Sequence, residues 1–205
     1  MNWVRTEVIK ERYNRYSKFY DIFELPMETF FAKFRPDLVR YAEGNVLEVG
    51  VGTGKNLEYY PDDVHVTAID LSPGMLSKAQ KKFSNKKNIT FLEMDIQSTT
   101  FKDNIFDTVI GSFIFCSVPD PIKGLHEIRR ICKSGGKIYL LEHVRSNKKI
   151  IGPILDLFNP IPLKLFGFNI NRETSNNIKE SGFVEIIEKI YWSDILRMYI
   201  ITNSK

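Results

Sequence analysis

The run Val46-Leu47-Glu48-Val49-Gly50-Val51-Gly52-Thr53-Gly54-Lys55-Asn56 constrains this chain more than any other stretch: an apolar strand passes without pause into three alternating glycines. Such a sequence lays a bare backbone turn at the carboxyl end of a strand, where a ligand can press against main chain that a side chain would otherwise cover. Asp70 ends the next strand, Val66-Thr67-Ala68-Ile69-Asp70, twenty residues beyond Gly50. One β-α-β unit needs that distance to offer a carboxylate to a ribose diol. Together the two features predict an adenosine-bearing ligand. A tight strand-to-helix turn is the plain alternative for Gly50, Gly52 and Gly54.

What the loop lacks narrows the ligand. A triphosphate-cradling loop needs Gly at position 49 and Ser or Thr after the lysine, but the chain has Val49 and Asn56. A dinucleotide loop needs a third glycine at position 55, where Lys55 stands; nicotinamide and flavin are disfavoured without being excluded. Glu48 suits a ligand with an ammonium group better than one with a pyrophosphate, because a carboxylate beside phosphates repels them. S-adenosylmethionine has an ammonium, an adenosine diol and no phosphate, and is the expected cofactor.

At 205 residues the chain is expected to form one domain, 1–205, large enough for a full core. A hydrophobic fraction of 43% and a charged fraction of 26% are those of a soluble globular protein. Cys116 and Cys132 suggest neither a metal pair nor a secreted disulfide framework, so a reducing cytoplasm is the expected location. Arg5, Glu7, Lys10, Glu11 and Arg12 interrupt the amino-terminal apolar residues, and neither a secretory leader nor a transmembrane span is expected there. The net charge of +4 is mild and argues against a nucleic-acid partner. Its densest cluster, Lys78, Lys81, Lys82, Lys86 and Lys87, reads as a solvated helix face, with attraction to anionic lipid headgroups as the sharper alternative.

Strand-like and helix-like patterns alternate as in a parallel sheet covered on both faces. Strands are expected at 45–49, 64–70, 89–94, 106–113 and 137–142, with β-rich runs at 183–191 and 196–202 placed for an antiparallel hairpin at the sheet edge. Ser72-Pro73 and Asp120-Pro121 each supply an N-cap and a first-turn proline, for helices running to about Phe83 and to Lys133. A further helix is expected near 172–181. Ile9, Tyr13, Tyr16, Tyr20 and Phe23 recur at steps of four, three, four and three, which places them on one face of an amino-terminal helix.

These motifs in order resemble class I S-adenosylmethionine-dependent methyltransferases: Leu47 to Gly54, Asp70-Leu71 with Ser72-Pro73-Gly74-Met75-Leu76, Met94-Asp95-Ile96, Phe106-Asp107, then Leu125 to Arg130 and Gly135-Gly136. The likeness covers roughly residues 13 to 145. Within that superfamily the chain is similar to the quinone-biosynthesis enzymes, the phosphatidylethanolamine N-methyltransferases and the membrane-associated thiol methyltransferases. Phe115 to Val118, Leu141 to Val144 and Asn169 to Thr174 look most like the thiol group; Leu47 to Tyr60 looks equally like the phospholipid group. The resemblance implies an α/β, Rossmann-like seven-stranded sheet of order 3-2-1-4-5-7-6 with strand 7 antiparallel. It also implies a helical N-terminal lid over residues 1–40 and a substrate cap over 144–175.

The resemblance also implies roles. Gly50, Val51, Gly52 and Thr53 would cradle the cofactor, with Leu71 and Met75 beside it. Glu48 would reach the methionine ammonium directly or through water, or else cap nearby amides as a strand-end carboxylate. Asp70 would accept both ribose hydroxyls, its two oxygens matching a vicinal diol. Asp95 and the Ile96 amide would read the adenine edge, a simple turn aspartate being the alternative. Ser112 would lie beside the methionine part. Tyr13 and Tyr20 would close the lid, their ring faces suited to a sulfonium. Tyr20 and His143 are the candidate catalytic residues. An unperturbed imidazole, with a pKa near 6.5, would accept a proton from an amine or thiol, and a structural strand-end histidine is the equal alternative. No metal is called for, and Cys116 has no partner base at an interpretable spacing.

Residues 150–168 are strongly apolar, with Asp156 and Lys164 as the only charges, yet Pro153, Pro160 and Pro162 forbid a continuous spanning helix. A lid over a greasy acceptor, an interfacial patch and a plain sheet-edge cap compete to explain them. The expected function is methyl transfer to a small apolar or lipidic acceptor, with peripheral contact on the inner face of the membrane as one extension. A NAD(P)-dependent oxidoreductase and a non-catalytic cofactor-binding module at the membrane are the alternatives.

Overall fold

The structure, a computed structural model, describes residues 5–205; the first four residues of the expected lid lie outside the described residues. Runs rich in Val, Ile, Leu and aromatic residues lie down as β1 (Asn45–Val49), β2 (His65–Asp70), β3 (Ile89–Glu93), β4 (Phe106–Ser112), β5 (Cys132–His143), β6 (Glu185–Tyr191) and β7 (Leu196–Thr202). They form a seven-stranded sheet of order β3-β2-β1-β4-β5-β7-β6. β1 to β5 pair in parallel, and β7 runs antiparallel to both β5 and β6, as the motif order implies.

Both faces of the sheet are covered. On one, Leu47, Val49, Ile69, Val109, Ile138 and Leu140 pack under Leu125, Ile128 and Ile131 of α5 (Pro121–Ile131) and Ile178 of α8 (Thr174–Glu180). On the other, Val46, Val66, Ala68, Ile110 and Leu141 meet Leu38 and Val39 of α3 (Arg35–Val39) and Leu76 and Ala79 of α4 (Pro73–Lys82). Each such aliphatic side chain contributes roughly 1.5–3 kcal/mol of burial before chain entropy is charged against it. The cap-plus-proline devices act as expected: Ser72 Oγ accepts the Met75 amide at 3.2 Å, and Asp120 Oδ1 accepts the Lys123 amide at 3.0 Å.

Three local expectations are corrected. The amino-terminal stripe does not sit on one helix: α1 (Thr6–Tyr16) ends before α2 (Tyr20–Phe31) begins, so Tyr13 and Tyr20 still face each other while Phe23 is 69% exposed. The break forms because Ser17 Oγ bonds back to the Asn14 carbonyl, while Asn14 Oδ1 accepts from Ser72 Oγ and the Gly74 amide. A Cβ at Gly74 would stand 2.7 Å from Ser17 Oγ, so this close contact requires glycine. Second, the crossover from β1 to β2 contains no α-helix; successive turns carry it, with Gly54 bonding Val51, Leu57 bonding Gly54 and Tyr59 bonding Asn56. Third, α5 stops at Ile131, two residues earlier than expected, and β5 starts at Cys132. Asn203 Nδ2 captures the carbonyls of Arg129, Cys132 and Lys133 there, which pulls the chain out of the helix.

The apolar stretch after β5 is split by its prolines into α6 (Ile151–Phe158) and α7 (Pro160–Leu165). No described helix is long and apolar enough to cross a membrane.

Candidate active site

The carboxyl ends of β1, β2 and β4 open into a cleft enclosing about 980 Å³ of non-protein space, its open mouth included. Its floor is the glycine turn, and the three glycines serve three different ends. Gly50, Gly52 and Gly54 have φ of +66°, +56° and +85°, a region that L side chains rarely adopt. A Cβ at Gly50 would stand 2.7 Å from Ile114 Cδ1, and one at Gly54 2.7 Å from Phe83 Cε2. At Gly52 a Cβ would meet nothing within 4 Å, because that face of the turn looks into the cleft.

Asp70 ties this turn to the next strand: Oδ2 accepts the Gly52 amide and Oδ1 the Ser72 amide, both at 2.8 Å. Burial raises its pKa to about 6, against the pull of those two amides. Each oxygen keeps a lone pair for a ligand hydroxyl. Asp95 lies across the cleft, with Oδ1 accepting the Gln97 amide at 2.9 Å, and the Ile96 N–H has no acceptor among the described residues.

Tyr13, Tyr20, Gly50, Val51, Gly52, Thr53, Asp70, Leu71, Met75, Asp95, Ile96 and Ser112 all line the cleft. Tyr13 and Tyr20 roof it with ring centroids 6.4 Å apart, and desolvation raises both phenols well above the ordinary range. Tyr20 also has the Lys55 ammonium 5.2 Å from its ring centre.

Two expected residues are placed elsewhere. Glu48 is 1% exposed and does not line the cleft; Oε1 accepts from Asn56 Nδ2 at 3.1 Å, and burial pushes its pKa up to about 7. Its carboxylate therefore stands behind Asn56, and its charge is not what would repel a pyrophosphate. His143 is outside the cleft lining, with its ring 6.4 Å from Phe113 and 6.3 Å from Phe168. Desolvation pulls its pKa down to about 4, which corrects the unperturbed value assumed from sequence. The imidazole is neutral at physiological pH.

Arg35, which the sequence reading passed over, is the hub of the cleft's inner end. It is 4% exposed, binds Glu28 through Nε and Nη2 at 2.6 and 2.7 Å, and donates Nη1 to Asn56 Oδ1 at 2.6 Å and Ser112 Oγ at 3.1 Å. Lys55, read only as an obstacle to dinucleotides, pairs with Glu24 and Glu28 at 3.3 and 3.1 Å. Asp21 accepts the Thr53 hydroxyl at 2.7 Å. One stripe of α2, Asp21, Glu24 and Glu28, thereby fastens the lid to the cleft rim. The i, i+3, i+7 spacing of those acids was the legible signal.

These residues fit S-adenosylmethionine. Gly52 leaves open space over bare backbone, Asp70 can still accept a diol, and Ile96 offers a donor. Sheet order, glycine turn and acidic strand ends together define a Rossmann-like methyltransferase. Residues 47–140, a little under half of the chain, match the family model described as a methyltransferase domain, and the cleft's residues fit S-adenosylmethionine as the cofactor.

Its relatives carry more specific names. A phosphatidylethanolamine N-methyltransferase of Cereibacter sphaeroides is 38% identical over 114 residues, which cover 54% of this chain and 55% of that one. A demethylmenaquinone methyltransferase of Renibacterium salmoninarum is 33% identical over 151 residues, 73% of this chain and 60% of that one. The chain thus spans a little over half the length of these curated relatives. Among solved structures, a SAM-dependent methyltransferase of Thermotoga maritima, described as a possible histamine N-methyltransferase, superposes with a TM-score of 0.70 at 19% identity, covering 96% of this chain and 100% of that one. At that identity the likeness is one of fold.

Proposed function

We propose that this protein transfers the sulfonium methyl of S-adenosylmethionine to a small apolar or lipidic acceptor: a phospholipid amine, a thiol or a quinone ring carbon. The observation that carries the acceptor class is a continuous aromatic wall running out from the cleft. Phe31 packs on Phe113 at 4.7 Å, Phe113 on His143, His143 on Phe168, Phe168 on Phe166 at 5.9 Å, and Phe166 on Tyr16 at 5.6 Å. Phe113 also lines the cleft, so the apolar wall begins where the cofactor site ends. Such a wall favours a greasy acceptor and excludes water from the reacting centre.

When bound, the cofactor would supply an electrophilic methyl carbon to the acceptor's lone pair or ring carbon, its carbon–sulfur electrons returning to sulfur as the acceptor gives up a proton. The residues of the chain bind and align. Asp70 takes the ribose hydroxyls, Asp95 and the Ile96 amide the adenine edge, and the Gly50–Thr53 backbone the amino-acid portion. Ser112, Asn56 and Arg35 bound that portion at the inner end, with Glu48 holding Asn56 from behind. Tyr13 and Tyr20 place ring faces toward the sulfonium. His143, neutral and on the aromatic wall, accepts a hydrogen bond from the acceptor's N–H or S–H.

Contact with a membrane surface belongs to the same reading. Phe19, Ile22 and Phe23 beside the lid and Leu157, Ile161 and Leu165 on α6 and α7 are all more than half exposed. The two patches meet where Tyr16 donates its hydroxyl to the Leu165 carbonyl. The deciding experiment incubates the protein with isotopically labelled methyl donor and, separately, total membrane lipid, quinone extract and small thiols. Label in one pool identifies the acceptor. Calorimetric binding of S-adenosylhomocysteine without label in any pool supports a non-catalytic binding module instead, and no heat at all removes the cofactor reading.

A further inference from the structure

A second cavity, enclosing about 600 Å³ of non-protein space with its open mouth included, lies between the segment leaving β5, the α8 stretch and the β6–β7 hairpin, and it shares no lining residue with the cofactor cleft. Four cations from three stretches of chain converge on it, Arg145, Arg172 with Lys179, and Arg197, against two carboxylates, Glu173 and Glu188. Arg145 is held outward by Asp156 of α6, with Nη2 at 2.8 Å. Arg197, 5% exposed, donates Nη1 to Glu188 Oε1 at 2.8 Å and to Ser175 Oγ at 3.2 Å. Glu173 accepts from the Asn176 side chain at 3.0 Å.

The remaining donors are not taken up by carboxylates among the described residues, and two buried ones have no partner. Lys179 has no carboxylate within 4.0 Å among the described residues. Arg172 donates Nη2 to the Val118 carbonyl at 2.8 Å, but its Nε has no partner, and neither does the hydroxyl of the fully buried Thr174. Buried donors without acceptors cost stability that a ligand's oxygens return. The donors approach from several directions, which suits a tetrahedral oxyanion better than a planar carboxylate with two oxygens. We propose that this cavity is a binding site for a phosphate group, with Arg172, Lys179 and Arg197 supplying charge and Thr174 a hydroxyl donor, the Ser175 hydroxyl being given to Glu188 Oε1 at 2.6 Å. The group is either free phosphate or the phosphate of a lipid headgroup. The site stands apart from the methyl-transfer reading and fails or holds independently of it.

The test titrates the full chain with sodium phosphate and, at matched ionic strength, with sodium chloride, following melting temperature and calorimetric heat. S-adenosylhomocysteine binding is measured alongside to report on the cleft. A saturable shift with phosphate that chloride does not reproduce is expected. Lys179→Ala, on an exposed position of α8, should weaken phosphate binding about tenfold, the loss of one charge-assisted contact. Thr174→Val should remove most of the phosphate shift while the phosphate-free melting temperature holds or rises, since an unpartnered hydroxyl is gone. Both variants should bind S-adenosylhomocysteine as the parent does. Sedimentation with phosphatidylcholine vesicles, with and without phosphatidic acid, separates the sources. Binding that needs phosphatidic acid and Lys179 and is competed by phosphate points to a headgroup; phosphate binding with indifferent vesicles points to the free ion. Equal shifts with chloride, or a response to phosphate that Lys179→Ala leaves intact, overturn the proposal even if Thr174→Val does not fold.

Discussion

Asp70 has two tasks, holding the glycine turn through the Gly52 and Ser72 amides and facing the cleft with what remains of its carboxylate. Asp70→Asn keeps the size and loses the charge, and a hydrogen bond to a charged group is worth about 1.5–3 kcal/mol. Calorimetry should therefore show S-adenosylhomocysteine bound about tenfold or more weakly, with the circular dichroism unchanged. Gly52→Ala puts a methyl into the open space of the cleft at φ +56°, where an L residue costs roughly 1–2 kcal/mol. The variant should fold and bind S-adenosylhomocysteine poorly; parental affinity would mean the ligand does not lie over that turn. For His143, desolvation to about 4 means the imidazole is already neutral from pH 5 to 8. A pH–rate profile should show no break near the ordinary histidine value, and His143→Ala should lower kcat by about 10²-fold with cofactor affinity intact. An acidic limb near pH 6.5 that disappears in the variant would show that the site is wetter than its aromatic packing indicates.

At the scale of elements, the lid carries the sharpest expectation. α2 has no fully buried residue, and its acidic stripe, together with Phe31 on Phe113, holds it to the cleft. Arg35→Met fills similar volume but leaves Glu28 with Lys55 alone and strips Asn56 and Ser112 of a donor. Breaking a buried pair costs 3–5 kcal/mol, and about 3 kcal/mol is expected because a fifth of the Glu28 side chain remains in water. Urea unfolding measures the loss; a change under 1 kcal/mol would mean that the clasp does not hold the lid. The break between α1 and α2 was hidden in the sequence because the 3.6-residue stripe continues through it. It is set by Asn14 and Ser17 meeting Ser72 and Gly74, about sixty residues away. The early end of α5 has the same origin, since its carbonyls are captured by Asn203 from the far end of the chain.

For the molecule as a whole, three buried carboxyls set the dependence of stability on pH. Glu142 is fully buried at the end of β5 and accepts the Ile114 and Phe115 amides at 3.0 and 3.1 Å, fixing the turn that follows β4. Burial raises it to about 8, Glu48 to about 7 and Asp70 to about 6. Each is raised above its unfolded value, so the native state binds more protons than the unfolded one, and stability falls as pH rises. The contribution is complete below the ordinary carboxyl range and is lost progressively as pH climbs through 6, 7 and 8. Glu127, lowered to about 2 by Arg130 and Thr99, and His143, lowered to about 4 by desolvation, act with the opposite sign: the first at the acid end, the second up to the ordinary imidazole value, each losing its contribution as pH falls. Melting temperature in the absence of ligand should decline from about pH 6.5 to 8.5, above the range where His143 opposes the carboxyls, and Glu142→Gln should flatten that decline. A parental slope in Glu142→Gln would contradict the assignment.

The strands, their helices' caps, the glycine turn and the distance to Asp70 were set by local patterns that the chain shows on its own: apolar runs, cap-plus-proline pairs and a fixed crossover length. The direction of Glu48 was not. In a parallel strand buried on both faces, polar and apolar residues do not alternate, so nothing in Val46-Leu47-Glu48-Val49 says which side the carboxylate takes. The proton affinity of His143, the convergence of Arg35 on Asn56 and Ser112, and the hinge between α1 and α2 were decided by the tertiary structure alone. Desolvation and hydrogen-bond partnership depend on which distant residues close around a group, and spacing along the chain does not encode that.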